Sequence, residues 1–511
     1  MRLSYRIMSL AMVLGLLGAA CTTGEGGDGD GGDGAEATET AEITIALGQE
    51  PSTLDPQLVD SGFERAVNDN IYETLLTRTP EGELSADGLA EAMPEQIDNK
   101  TWQFTLRDGI TWHNGDPFTA DDVVASVERI IDPEFASEQG SFFATITGAE
   151  AEDDLTVNIL TNGPDPVLPS RMYWMKMVPA EASQDPEFEQ NPVGTGPYRF
   201  VEWARGDHIT IEKNPDYWGE NGSNIETVNY NFVPEAATRL SGLLSNQYNL
   251  APNLLPEDTE SAPKFASVRG LEHAMVVLNE TSGITADVRV RRALNLAVDK
   301  EAIVSELFQG YAKVEPCQPM DPAWFGFHPG LEPYPYDPDQ ARQLIQQAGA
   351  DGAELELVGT AGRWLKDREV IEAVANFWRD VGLDIKVRLF ELGEYNNRLF
   401  HGGENISDTI FVSSSNEIFD ADRNLSAYLQ PNFLGGANDN PQMTKMLNTA
   451  RTETDTQRRE DLYHEVLQTS CDDAYLVNLY NNEDIYGMTE NFSWEPRVDA
   501  KMLVKEMQVS G

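Results

Sequence analysis

Between residues 43 and 485 the hydrophobic pattern switches repeatedly between a period of two and a period of 3.6. That alternation limits the chain to lobes in which helices cover sheets, an α/β architecture. Ile43, Ile45 and Leu47 alternate as a strand, and Glu50-Pro51-Ser52-Thr53-Leu54-Asp55-Pro56 breaks it into a loop. Residues 64–76 carry apolar positions at helical spacing. Trp102, Phe104 and Leu106 alternate again, Asp108-Gly109 reads as a turn, and Ile110 with Trp112 reads as the return arm of a hairpin. Thr119, three residues before Asp122, is a helix cap ahead of the stripe Val123, Val127, Ile130. Further strands are expected at 155–159, 208–212, 228–232, 355–358 and 385–389, and helices at 288–307, 338–347, 366–380 and 458–467. A chain of 511 residues with 40% hydrophobic side chains has room for two to four such domains.

The charge excludes one class of partner. Asp and Glu number 86 against 36 Lys and Arg, a net −50. No nucleic acid is expected, because phosphate neutralisation needs a basic surface. The acidity reads as a solvated face. Catalytic constellations are poor. The histidines at 113, 208, 273, 328, 401 and 464 make no pair at metal-ligand spacing. There is no Gly-x-Ser-x-Gly elbow and no Gly-x4-Gly-Lys-Ser/Thr phosphate loop. Gly194-Thr195-Gly196-Pro197 begins like a dinucleotide loop, but it lacks the third glycine, and Pro197 removes an amide donor. No enzyme activity, metal or cofactor is expected.

The beginning of the chain reads as an address. Arg2 and Arg6 precede the apolar run Met8–Leu17, which is short for a membrane span, and Gly18-Ala19-Ala20 leads to Cys21. This resembles the lipobox of bacterial lipoproteins, with Gly18 where Leu is usual. The resemblance implies a signal peptide at 1–20, cleavage before Cys21, and a lipid on its thiol. Residues 21–42 form an acidic, Gly-rich tether of roughly 25 Å r.m.s. span. Cys317 and Cys471 are the two remaining cysteines. In an exported chain they suggest one disulfide, the alternative being two separate thiols.

Three blocks carry a family resemblance. The segment Glu50–Pro56, with Ile71-Tyr72-Glu73-Thr74-Leu75-Leu76, leads to Trp102–Val123, written WQFTLRDGITWHNGDPFTADDV. Val193–Gly219 reads VGTGPYRFVEWARGDHITIEKNPDYWG, and Asp287–Leu307 reads DVRVRRALNLAVDKEAIVSEL. In order and spacing these closely resemble the peptide/nickel class (family 5) of ABC-transporter solute-binding proteins, over residues 43–505. The resemblance implies a periplasmic-binding-protein-like fold of type II, cluster C: a two-lobed Venus flytrap with an extra inserted domain. Lobe I is expected at 43–80, 196–270 and 486–511, the inserted domain at 81–195, and lobe II at 271–485. Trp203, Tyr217 and Trp218 are expected to pack a lobe.

The resemblance also implies the function and its partners. The chain is expected to be a monomeric substrate-binding lipoprotein that captures di- or oligopeptides between its lobes. It would hand them to an ABC permease driven by separate ATPase subunits, and would touch the membrane only through its lipid, on the outer face of the cytoplasmic membrane. The alternatives are a nickel chelate, haem, an opine or an oligosaccharide as solute, or an exported hydrolase or chaperone on the same scaffold. Peptide-binding relatives hold the peptide amine with an acid near an Asp-Pro that precedes an Asn-aromatic pair. Here that region reads Phe419-Asp420-Ala421-Asp422-Arg423-Asn424-Leu425, so Asp420 or Asp422 serves after a one-residue shift. Gly362-Arg363-Trp364 resembles a Gly-Arg-aromatic turn of the family, giving Arg363 for a carboxylate and Trp364 for stacking. Phe142 and Phe143 fall where an aromatic wall is expected, and Asn416 and Phe419 lie beside the anchor.

Overall fold

The computed structural model describes residues 41–400, 407–431 and 440–510. Cys21 and nearly all of the tether lie outside the described residues. Ala41–Leu47 pairs in parallel with Ile225–Phe232, which continues antiparallel through His208–Lys213 to Tyr198–Ala204. On its other side Ala41–Leu47 meets Leu250–Pro252, and through it the long strand Leu476–Met488. That strand pairs antiparallel with Lys264–Leu278, and beyond lie Thr409–Ser414, Glu354–Gly359 and Asp384–Leu389. The result is one eleven-stranded sheet running through both lobes.

Four large cores partition the described residues. Ile43, Ile45, Tyr198, Ile211, Val228 and Tyr230 form one with Phe492, Trp494, Met502 and Met507 from the far end of the sequence. A separate four-stranded sheet, ordered Glu95–Asp98, Thr101–Thr105, Thr156–Thr161, Ile146–Asp153, has its own core under the helix Ala120–Ile131. Leu75 and Leu76 belong to that inserted core, whereas Val178 and Phe188 pack on the first lobe. The second lobe has a core on each face of its sheet. Val276, Leu294, Leu357 and Trp378 lie on one side, and Met275, Tyr395, Ile410 and Tyr463 on the other. Trp203, Tyr217 and Trp218 are packing residues. Trp203 packs against the first lobe's core and Trp218 against the inserted one, and both Tyr217 Oη and Trp218 Nε1 donate to Glu73.

Three local expectations are corrected. The helix read over 64–76 runs Gly62–Ile71, capped by Ser61. It stops there because the carbonyls that follow are claimed by other segments. Gly196 N donates to Ile71 O, Leu89 N to Thr74 O and Ala90 N to Leu75 O. The 102–112 hairpin does not form: Thr101–Thr105 pairs instead with Glu95–Asp98 and Thr156–Thr161, while Ile110 and Trp112 turn into the core. The helix read over 288–307 is two helices, Val288–Ala297 and Lys300–Phe308, because the Asp299 carboxylate accepts from Ala302 N and caps a new start.

The Gly194-x-Gly196 pair also finds its reason. A Cβ on Gly194 would stand 1.9 Å from Ile71 O, and one on Gly196 2.5 Å from Asn70 O. The loop crosses the end of the first helix with no room for a side chain. In the second lobe Cys317 and Cys471 are bridged, with Cα atoms 5.4 Å apart across 154 residues of sequence.

The two strands shared by the lobes are interrupted where one lobe gives way to the other. Arg269 faces Glu483 and His273 faces Asn481, with the register shifting between them. The bulge of Gly270–Glu272 is held by the buried Asn481 side chain, whose Nδ2 donates to both Gly270 O and Glu272 O at 2.8 Å. A Cβ on Gly270 would lie 2.9 Å from Asn482 O, so the bulge is built around a missing side chain.

Candidate solute-binding cleft

A cavity of about 740 Å³ lies between the inserted domain and the second lobe. The inserted domain contributes Glu138, Ser141, Phe142, Thr145, Asn162 and Arg171. The second lobe contributes Arg363, Trp364, the run Ser413–Ser415, Asp422, Arg423, Tyr428 and Arg451. Aromatic walls are thus interleaved with hydroxyls and paired charges, the composition of a pocket that holds a polar organic molecule.

Of the sequence-derived residues, four line this cavity. Asp422 sits in the first turn of the helix Ala421–Tyr428. Its Oδ1 accepts from Arg451 Nε at 2.8 Å and Ser426 Oγ at 2.7 Å, and its Oδ2 lies 3.9 Å from Arg171 across the cavity. Arg171 is fixed on its own side by Asp165 at 3.1 Å. Phe142 offers its ring to Arg423, whose Cζ lies 4.5 Å from the ring centre. The Gly362-Arg363-Trp364 turn is organised by Asp367. That carboxylate accepts from the backbone N–H groups of all three at 3.0–3.2 Å. Trp364 then wedges edge-on between Tyr395 and Phe411, and the Arg363 guanidinium lies over the Trp364 ring at 4.6 Å.

The other four are placed elsewhere. Asp420 does not line the cavity. It caps the helix through Asp422 N, and both its oxygens accept from Arg459, at 2.6 and 2.7 Å. Phe143 is buried in the inserted domain's core. Asn416 is buried and donates to Asp420 O. Phe419 adopts φ 56° and stacks under Arg78 at 4.4 Å. Asp420, Asn416 and Phe419 shape the loop that presents Ile418 and Asp422.

Several residues on or beside the cavity carry no signal in the sequence. Arg171 and Arg451 become cavity groups only through tertiary pairing. Glu417 is buried, with its carboxylate on Arg423 at 2.8 Å. Burial pushes its pKa up, but Arg423 and Arg65 outweigh burial and hold it below the usual range. On the shared strands beside the cavity, burial raises Glu272 to about 7, helped by Asp484, and raises Asp484 to about 6.

Two lobes joined by a sheet with an interrupted register, and a cavity enclosed by a third domain, define the two-lobed binding-protein class. The model of the bacterial extracellular solute-binding proteins, family 5 Middle, matches residues 86–433, and the chain belongs to that family. It is 27% identical to the glutathione-binding protein GsiB of Pectobacterium atrosepticum, covering 69% of this chain and 70% of that protein. It is 24% identical to the oligopeptide-binding protein OppA of Bacillus subtilis, covering 96% of each. Among solved structures, the ABC transporter substrate binding protein CtaP of Listeria monocytogenes superposes with a TM-score of 0.83 at 20% identity, over 93% of this chain and 100% of that one.

Proposed function

We propose that this protein is the solute receptor of an ABC importer and that its solute is a short peptide. The cavity carries the argument. About 740 Å³ lies within the range of small-molecule sites, and its apolar walls alternate with groups suited to a peptide's ends and amides. Relatives named for binding oligopeptides and dipeptides support the same reading. The peptide amine meets Asp422, whose Oδ2 is the less engaged oxygen; Arg363 meets an anionic end; Phe142 and Trp364 supply tolerant walls. Closure about the Asn481-clamped bulge buries the ligand, and the closed form is what the permease reads. In this reading the lobes are those expected from the sequence, with the boundaries moved to the observed cores: the inserted domain begins near Leu75 and ends near Met177. The receptor works as a monomer, lipid-anchored through Cys21 outside the cytoplasmic membrane. Among the described residues no helix is long and apolar enough to cross a membrane.

Calorimetry on ligand-stripped protein with a mixed peptide library tests the ligand. Free peptides should bind, N-acetylated ones should not, and Asp422→Asn should weaken binding. Heat from a sugar or metal chelate, with none from peptides, overturns the peptide reading. For the anchor, Cys21→Ser should move the protein into the soluble exported fraction; unchanged membrane association counts against lipidation.

A further inference from the structure

A second cavity, of about 280 Å³, shares no lining residue with the first. It lies where the first helix ends, beside Arg78, the Tyr173–Lys176 segment and the returning stretch Arg497–Glu506. Four cations there are more than nine-tenths buried: Arg78, Lys176, Arg497 and Lys501, with 8%, 6%, 4% and 9% exposure. Of the lining carboxylates only two are equally buried, Asp69 and Asp499. Both are taken. Asp69 pairs with Lys176 at 2.8 Å, and Asp499 holds Arg497 through two bonds and accepts from Tyr173 Oη. The rim acids are engaged as well: Glu73 with Thr195, Tyr217 and Trp218, Asp87 with Ser85, and Glu506 with Arg497.

Among the described residues, Arg78 and Lys501 are therefore buried cations without a carboxylate of their own. Arg78 donates through its Nη groups to Gly82 O, Ser170 Oγ and Ile418 O, and its buried Nε has no hydrogen-bond partner among the described residues. The Lys501 ammonium has ring faces beside it, Tyr173 at 4.3 Å and Trp174 at 5.8 Å, and no hydrogen-bond acceptor among the described residues. An ammonium carries three donors, and leaving them unmet in a buried site is costly. The lining as a whole balances five cations with five carboxylates, but at its buried end four cations meet two carboxylates, and that local excess in a chain of net −50 suits an anion.

We propose that this cavity binds a small oxyanion, held by the Lys501 ammonium with Lys505 and the hydroxyls of Thr77 and Thr79 around it. The space is large for a halide, since a water takes about 30 Å³. It suits a phosphate or a short dicarboxylate. The site is separate from the peptide cavity, so its test does not depend on the identity of the transported solute.

The protein, dialysed into a buffer free of oxyanions, is titrated calorimetrically with inorganic phosphate, sulfate and succinate, and its thermal midpoint is followed in parallel. At least one should bind at millimolar concentration and raise the midpoint, and the preferred one tells a tetrahedral ion from a carboxylate. Lys501→Met, which keeps the apolar stem, should weaken binding by about tenfold or more, and Lys501→Arg should retain it. If Lys501→Met does not fold, Lys505→Gln at the rim should weaken binding by a smaller factor. In the free protein burial lowers Lys501 to about 8, with Lys176 and Arg497 adding to it against Asp69 and Asp499. Bound oxyanion should move its NMR-detected titration upward. No binding of any of the three, or undiminished binding by Lys501→Met, overturns the proposal.

Discussion

Replacing Asp420 by Asn separates two roles that lie two residues apart in the sequence. In the structure Asp420 is 4% exposed, and its carboxylate receives both Nη groups of Arg459, itself 4% exposed. Asn keeps one acceptor, so the helix cap through Asp422 N survives, but the charge opposite Arg459 is lost. Removing one partner of a buried ion pair costs about 3–5 kcal/mol, because the other charge stays buried. The retained acceptor places the expected loss at about 3 kcal/mol. For a body running from Thr40 to Gly511, an unfolding entropy of about 2.1 cal/mol/K per residue gives about 1 kcal/mol per kelvin. The thermal midpoint should therefore fall by roughly 3 °C, or by more if the second lobe unfolds as its own unit. Peptide affinity of the folded protein should change less than about twofold, in contrast to Asp422→Asn. Scanning calorimetry and a binding titration on the same preparation decide it. A variant with an unchanged midpoint and abolished binding would refute the assignment of Asp420 to the scaffold.

Gly194→Ala should fail to fold or lose several kcal/mol, because the new Cβ meets a backbone carbonyl that cannot swing aside; soluble yield and midpoint report it. Glu272 and Asp484 have raised pKa values in this structure, so lobe opening that hydrates them should lower those values and release protons, and closure should take protons up. Arg65, Arg363 and Glu417 face the same space, the two cations lowering and Glu417 raising Glu272 or Asp484. Closure of the unliganded protein should be favoured as pH falls below about 6 and lost as it rises through about 7, a trend visible by small-angle scattering and flattened by Glu272→Gln with Asp484→Asn. Reducing the Cys317–Cys471 bridge should cost about 5 kcal/mol in the chain-entropy picture for a loop of 154 residues, read as a lower denaturant midpoint.

Much of the fold was legible because half-buried strands and one-sided helices keep their periods: the strands at 43–47 and 208–212 and the helices at 338–347 and 366–380 all appear close to where the pattern puts them. The two strands shared by the lobes were not. Ala274-Met275-Val276-Val277-Leu278 and Leu476-Val477 are buried on both faces, and a continuous apolar run has no period to read. In the cleft, the Gly-Arg-Trp turn and Phe142 could be named from local sequence. Asp420 and Asp422 could not be told apart, because what separates them is Arg459, 39 residues away from Asp420. Arg171 and Arg451 lie outside every block that carries the family pattern, and only folding brings them to Asp422.

The first lobe's core takes Phe492, Trp494, Met502, Val504 and Met507 from the last stretch of sequence, and the buried Asn70 side chain bonds Met502 O at 3.0 Å and Val504 N at 2.7 Å. The first strand among the described residues is thus among the last to be sealed. Contacts spanning 432 and 434 residues cannot form while the chain is still emerging, whatever the local propensity of Ile43–Leu47. A receptor that must cross a membrane before it works gains from this order, because its leading segment stays unfinished until the trailing one arrives. Truncation by even a short C-terminal segment would be felt at the opposite end of the sequence, leaving the strand Ala41–Leu47 beside an unfilled core.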